Sequence, residues 1–226
     1  MTTTLNNSSK EDASSTNGKN LLEALNWRYA TKRMTGKKVP EEALNRILEA
    51  IRLSASSFGL QPYTIVVIAN KDLLEKIKSA ANEQPVVAEA SHLLVFAAWE
   101  NLIQKKIDDY VIQIATERGV TEESLQEEKS KMESQLAFSP IINQEWAARQ
   151  AYIALAYGLI AAAIEHVDAT PMEGFNPSTI DAILGLREKG LHSVVLMTLG
   201  YRDIDNDPLA NAKKIRRNKE ALYIKM

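Results

Sequence analysis

The chain has 226 residues, 45% of them hydrophobic and 25% charged, with Lys+Arg 27 against Asp+Glu 29 and a net charge of -2. That balance excludes collagenous or wholly disordered chains and proteins that coat nucleic acid by neutralising phosphates. With no cysteine, thiolate metal sites, iron–sulfur clusters and thiol nucleophiles are excluded as well, so any redox chemistry must use a bound cofactor.

In chain order, residues 1–20 contain 12 Ser, Thr or Asn and only two large apolar side chains, too few to offset the entropy of ordering, which predicts a disordered tail. The tail has no apolar h-region and no Arg, so neither a secretory nor a mitochondrial leader is expected and cytoplasmic residence is the default. Leu21, Leu22, Leu25 and Tyr29 recur at helical spacing, and Pro40-Glu41-Glu42 opens a second helix with Leu44, Ile47, Leu48 and Ile51 turned inward. Tyr63 to Ala69 is a continuous run rich in β-branched residues, as buried strands are, and the apolar run Leu93 to Trp99 predicts another.

His192 to Leu199 predicts a third strand and Ala221 to Lys225 a short terminal one. Helices are expected over Asp72 to Ala81, Pro85 to Ser91, Asn101 to Arg118, Thr121 to Phe138 and Gln144 to Val167. The last is apolar all round and rich in small residues, which marks a central or subunit-interface helix. Its longest mostly apolar stretch, Ala151 to Ile164, has 14 residues, short of the roughly 18 or more of a membrane span. Strands do not alternate regularly with helices, so the fold class is α+β: helices around a small mixed, mainly antiparallel sheet, with residues 21–226 forming one domain.

Motifs that are missing narrow the chemistry. The nine glycines form neither G-x-G-x-x-G nor a phosphate loop, and there is no G-x-S-x-G elbow or H-E-x-x-H helix. His92, His166 and His192 lie far apart at the edges of apolar segments, where a structural role is the plainer reading and no metal site is expected.

Four polar segments remain. In Arg28-Tyr29-Ala30-Thr31-Lys32-Arg33, a continuing helix would put Arg28 and Lys32 on one face, able to hold an anion; the bland alternative is a solvated basic helix end. Ser54 to Pro62, with Ala55, Ser56, Ser57 and Gly59, is either a ligand-wrapping turn or an ordinary capping loop. Pro171-Met172-Glu173-Gly174-Phe175 either lets backbone approach a flat ligand or is a turn before the helix start at Asn176-Pro177. Lys213-Lys214-Ile215-Arg216-Arg217 is either a solvated basic run or closes over the same anion as Arg28.

Taken together, R-Y-A-T-K-R-M, S-A-S-S-F-G-L-Q-P-Y, A-S-H-L-L-V-F, P-M-E-G-F and K-I-R-R stand in the order and at the distances found in the FMN-dependent nitroreductase family, which the chain resembles from about Leu21 to Arg217. The resemblance implies an intertwined homodimer with FMN at the subunit interface and NADH or NADPH as electron donor. It implies that Arg28, Lys214 and Arg216 hold the FMN phosphate, that Tyr29 and Ala30 lie beside them, and that Lys32 faces the N1/O2 edge of the flavin. Ala55, Ser56, Ser57 and Gly59 would come from the partner copy. Pro171, Met172, Glu173 and Gly174 would line the ring with a backbone N–H near N5, and Gln84 would face its pyrimidine end.

Glu83 stands where relatives often carry Asn, Ala30 where some carry Ser, and Ala55 where many carry Pro. The activity implied is a ping-pong transfer of hydride from NAD(P)H through flavin N5 to nitroaromatic or quinone-type acceptors. No catalytic side chain is required, since Lys32 and Glu173 only tune the flavin, and no nucleic acid or membrane partner is implied. Another acceptor on the same scaffold, such as an enone, a pteridine or free flavin, or a non-catalytic FMN-binding dimer, is the alternative. Whether residues 101–138 form a lid stays open.

Overall fold

A computed structural model describes residues 19–226. The expected tail thus lies outside the described residues as far as position 18, while Lys19 and Asn20 already belong to a first helix, α1, over residues 19–27. Four strands form, β1 (Tyr63–Ile68), β2 (His92–Trp99), β3 (Asp168–Met172) and β4 (Leu191–Gly200). They pair in the order β1-β2-β4-β3, antiparallel throughout rather than mixed, with one register shift between Phe96 and Ala97.

β3 was hidden in the sequence by Asp168 and Pro171, residues that argue against a strand. Pro171 is tolerated because β3 lies at the sheet edge and pairs only with β4, where it stands opposite Met197, so a missing N–H costs no ladder bond on the open side. The terminal strand expected at Ala221 to Lys225 does not form. Asn218 caps a short helix instead, its side chain accepting from Ala221 N at 3.1 Å, and Tyr223 to Met226 run on exposed.

Seven further helices lie between these ends: α2 (Glu41–Arg52), α3 (Lys71–Ala80), α4 (Pro85–Glu89), α5 (Gln104–Arg118), α6 (Gln126–Glu133), α7 (Pro140–Ile164) and α8 (Pro177–Leu184). The C-terminal helix Lys219–Leu222 is α9. Asn70 and Asn176 cap α3 and α8 by accepting from Leu73 N at 2.9 Å and Thr179 N at 3.0 Å, which satisfies N–H groups that have no partner inside the helix. Thr121 to Phe138 is not one helix. It breaks into 3₁₀ turns at Glu122–Leu125 and Ser134–Ala137 on either side of α6, because Leu125 and Met132 are its only buried anchors.

The sheet is covered on both faces, which explains why β2 is apolar without alternation. Leu93, Val95 and Ala97 face a cluster with Leu74, Ile77, Val87 and Ile180 from α3, α4 and α8. Leu94 and Phe96 face Ile47 and Ile51 of α2 with Ala151, Ala154 and Leu155 of α7. Burying such side chains stabilises the fold by roughly 1.5–3 kcal/mol each. A third cluster joins α5 and α6 to Leu60 in the Ser54–Pro62 loop.

At 25 residues α7 starts earlier than its sequence pattern suggested, with Pro140 in its first turn. By length and composition it could cross a membrane, yet 44% of its most apolar window is buried inside the protein, as expected of a core helix. A Cβ at Gly158 would stand 3.0 Å from both Ile51 Cδ1 and Met197 Cε, so glycine lets α7 lie this close to α2 and β4 without displacing those two side-chain ends. Tyr152, Ile153, Tyr157, Ile160 and Ile164 on α7 stay exposed, an apolar stripe with no cover in a single copy.

Candidate functional site

Trp27 ends α1, so Arg28 to Lys32 do not extend the helix as their spacing suggested. They cross instead to the edge strand β3. Thr170 Oγ1 donates to the Thr31 carbonyl at 2.9 Å, and the two buried threonine hydroxyls lie 3.0 Å apart. Backbone polarity that a helix would have satisfied is thereby met at the sheet edge, and Arg28 and Lys32 are left on the rim of a cavity.

That cavity, of about 510 Å³, is lined by Arg28, Tyr29, Ala30, Lys32, Pro171, Arg202 and the C-terminal residues Lys213, Lys214 and Arg216, with Trp27, Leu209, Ala210 and Ala212 supplying apolar wall. The Lys214 ammonium donates to the carbonyls of Leu25 and Arg28, fixing the basic C-terminal run against the end of α1. Arg202 is already neutralised. Asp168 accepts from its Nη2 at 2.6 Å, from its Nε at 2.9 Å and from its backbone N at 2.8 Å, while the guanidinium lies over the rings of Trp27 and Tyr29.

Among the described residues no carboxylate makes an ion pair with Arg28 or Lys214. Burial lowers the pKa of Arg28, and the nearby Arg216 lowers it further, against a smaller upward pull from Asp168. Burial lowers that of Lys214 too, followed by repulsion from Arg28, Arg216 and Arg202. Arg28 Nε is buried without a hydrogen-bond partner. Like charges gathered around one cavity repel one another, and a dianionic phosphate among them would relieve that repulsion.

The wall opposite is held by Asp207, which is only 6% exposed. Its Oδ2 accepts from Tyr29 Oη at 3.0 Å and Lys32 N at 2.9 Å, and its Oδ1 from Leu209 N at 2.8 Å. These bonds keep its carboxyl below the usual carboxylate range although burial pulls the other way. Burial and the bond to Asp207 push the Tyr29 phenol up to about 12.

The other predicted site residues are distributed unevenly. Asn82 and Glu83 both adopt φ of 54°, a left-handed turn uncommon outside glycine, and this turn places Asn82 Nδ2 and Gln84 Nε2 each 3.0 Å from the Gly174 carbonyl, to which both donate. The Gln84 amide is therefore engaged on backbone. A Cβ on Gly174 would approach those two nitrogens to 3.3 and 3.4 Å. Glu173 is exposed, and its carboxylate accepts from Tyr152 Oη of α7. Met172 is buried in the core and is not among the residues that line this cavity.

Ala55, Ser56, Ser57 and Gly59 are not among the lining residues. Ser56 Oγ accepts from Gln61 N at 3.0 Å, Ser57 N donates to Gln150 Oε1 of α7 at 2.8 Å, and Tyr110 of α5 donates to the Phe58 carbonyl at 3.2 Å. No residue of 101–138 lines the cavity either. Among the described residues no group of three His, Asp or Glu could hold a metal ion. Asp168, Thr170, Arg202 and Asp207 were not anticipated, because each acts on a partner 34 or more positions away and none lies in a recognisable motif.

A cavity at the edge of an antiparallel sheet, lined by Arg28, Lys32, Lys213, Lys214 and Arg216 together with apolar residues, has the charge to receive an anionic group. Comparison with known proteins agrees. The model of the nitroreductase family matches residues 25–201, and the chain belongs to that family. It is 36% identical over 201 residues to a Bacillus subtilis protein named as an NAD(P)H nitroreductase, YfkO, covering 83% of this chain and 91% of that one. To the major NAD(P)H-flavin oxidoreductase of Aliivibrio fischeri it is 30% identical over 212 residues, covering 87% and 94%. A structure from Exiguobacterium sibiricum, described as a nitroreductase in complex with FMN, superposes with a TM-score of 0.76 at 17% identity, covering 91% of this chain and 97% of that chain.

Proposed function

We propose that this chain is an NAD(P)H-dependent oxidoreductase that holds FMN in the cavity between Arg28 and Arg216 and delivers reducing equivalents to nitroaromatic or quinone-type acceptors. The observation that carries this reading is the convergence of Arg28, Lys214 and Arg216, distant in sequence, on one cavity.

In this reading Arg28, Lys214 and Arg216 hold the phosphate by charge-assisted hydrogen bonds, and Lys32 places positive charge where reduction deposits negative charge. When bound, FMN supplies the hydride chemistry that no side chain here can supply. The Glu173-Gly174 peptide, steadied by Asn82 and Gln84, offers backbone N–H groups beside Pro171. The cavity opens to solvent, and donor and acceptor occupy it in turn, which is the ping-pong scheme.

A second copy completes the site. The exposed α7 stripe supports pairing of two chains, and pairing would bring Ala55, Ser56, Ser57 and Gly59 to the partner's cavity. The test is the visible spectrum of the purified protein under anaerobic titration with NADH and NADPH, together with its mass in solution.

A further inference from the structure

Asp207 is a buried carboxylate behind the wall of the cation-lined cavity, bonded to the lining residues Tyr29, Lys32 and Leu209, and among the described residues it has no Lys, Arg or His within ion-pair distance. A carboxylate so placed normally either pairs with a cation or protonates. Here it does neither, because three neutral donors satisfy it: Tyr29 Oη, Lys32 N and Leu209 N. The donors come from the two segments that carry the cations. Tyr29 and Lys32 belong to the loop of Arg28, whereas Leu209 belongs to the strap that runs on to Lys213, Lys214 and Arg216.

The stretches next to these segments meet through Thr35 N to the Tyr201 carbonyl at 2.9 Å and Asp203 N to the Arg33 carbonyl at 3.1 Å. Nearer the cavity, among the described residues, Asp207 and the Lys214 ammonium make the hydrogen bonds that join the loop and the strap.

We infer that Asp207 is a positioning residue for the anion site, a latch whose two oxygens hold the Arg28–Lys32 loop and the 207–216 strap at the separation one phosphate can bridge. Tyr29, which lines the cavity, serves the same latch. Its hydroxyl is engaged on Asp207 and its ring lies 4.6 Å from the Arg202 guanidinium carbon, so it connects the latch to the ion pair with Asp168 on β3. The inference rests on the flavin reading for the identity of the anion and on geometry alone for the latch.

Asp207→Asn tests it. The amide keeps one acceptor for Leu209 N but turns an N–H toward the Lys32 N–H and the Tyr29 hydroxyl, which breaks the latch with little change of volume. Equilibrium binding of FMN and of riboflavin to flavin-free protein is measured for wild type, Asp207→Asn and the milder Tyr29→Phe. FMN affinity should fall about tenfold in Asp207→Asn, as for loss of one charge-assisted bond, and less in Tyr29→Phe. Riboflavin, which lacks the phosphate, should be nearly unaffected. Equal loss for both ligands, or no loss for either, overturns the latch.

Hydrogen exchange of the flavin-free proteins separates this from the flavin reading. Peptides spanning 28–33 and 207–216 should lose protection together in Asp207→Asn while β2 and β4 keep theirs; unchanged protection in both peptides overturns the latch. A wild-type protein that binds no FMN refutes the flavin reading and leaves the exchange result to decide the latch by itself.

Discussion

Lys214 donates its ammonium protons to the carbonyl of Arg28, so the two cations are held side by side although 186 residues separate them. Like charges are not brought together without a reason. The carbonyl bonds fix Lys214, while burial and the neighbouring positive charges lower the pKa of both groups, so keeping both charged carries a cost in desolvation and repulsion. An anion that sits between them recovers that cost as binding energy.

Arg28→Ala should therefore weaken FMN binding by about 10- to 100-fold, the range of one hydrogen bond to a charged group. Because one phosphate contact is gone, affinity should also fall less steeply with salt than in the wild type. Fluorescence titration at several ionic strengths checks both points. Unchanged affinity removes Arg28 from the phosphate site.

Lys32 lines the same cavity but lies exposed at its mouth. Lys32→Ala should change FMN affinity little and lower the two-electron midpoint potential by about 30 mV, equivalent to about 1.4 kcal/mol of lost stabilisation of the reduced flavin. Spectroelectrochemistry reads the potential directly, and an unshifted value contradicts the placement of this cation at the N1/O2 edge.

Gly59 has a structural duty within one chain whatever a partner copy adds. Its φ is +71°, and a Cβ there would stand 2.5 Å from the Tyr110 hydroxyl. Gly59→Ala should cost about 2 kcal/mol through left-handed strain and displacement of Tyr110 from the Phe58 carbonyl. Urea denaturation measures this, and a midpoint equal to that of the wild type would show that the loop adjusts freely.

His92 and His192 are half-buried, and burial holds both below the ordinary value of 6.5, helped by Lys38 and Lys71 for the first and by Arg187 for the second. The unfolded chain then takes up protons before the folded one does. Stability is complete above about pH 6.5 and falls as the pH drops toward the folded-state values. Thermal melts between pH 7 and pH 5 should show this decline, and it should flatten in His92→Gln and His192→Gln. A flat wild-type profile would contradict it.

Legibility of the fold followed how local its signals were. β1, β2 and β4 could be read because each is a continuous run whose neighbours on both faces are apolar, and α2 because Leu44, Ile47 and Ile51 repeat with the helix. β3 could not be read, since its edge position is what excuses Pro171 and edge position is a property of the whole sheet. Ala221 to Lys225 has the composition of a strand but no strand beside it, and Asn218 turns it toward helix.

In the site, the basic residues were visible as clusters, whereas the carboxylates that organise them were not. Asp168 reaches Arg202 across 34 positions and Asp207 reaches Lys32 across 175. No spacing rule spans such distances. The helical argument that paired Arg28 with Lys32 used the wrong geometry, because the chain leaves the helix at Trp27 and still brings both to one cavity through the hydrogen bonds of Thr31 with Thr170.

The most direct test of the account is the colour of the protein and what removes it. Purified and kept free of oxygen, the protein should show the absorption bands of oxidised flavin, lose them on addition of NADPH or NADH, and regain them when a quinone or nitroaromatic is added. A colourless protein that stays colourless after incubation with FMN and gel filtration would contradict the claim that the Arg28, Lys214 and Arg216 cavity is a flavin phosphate site.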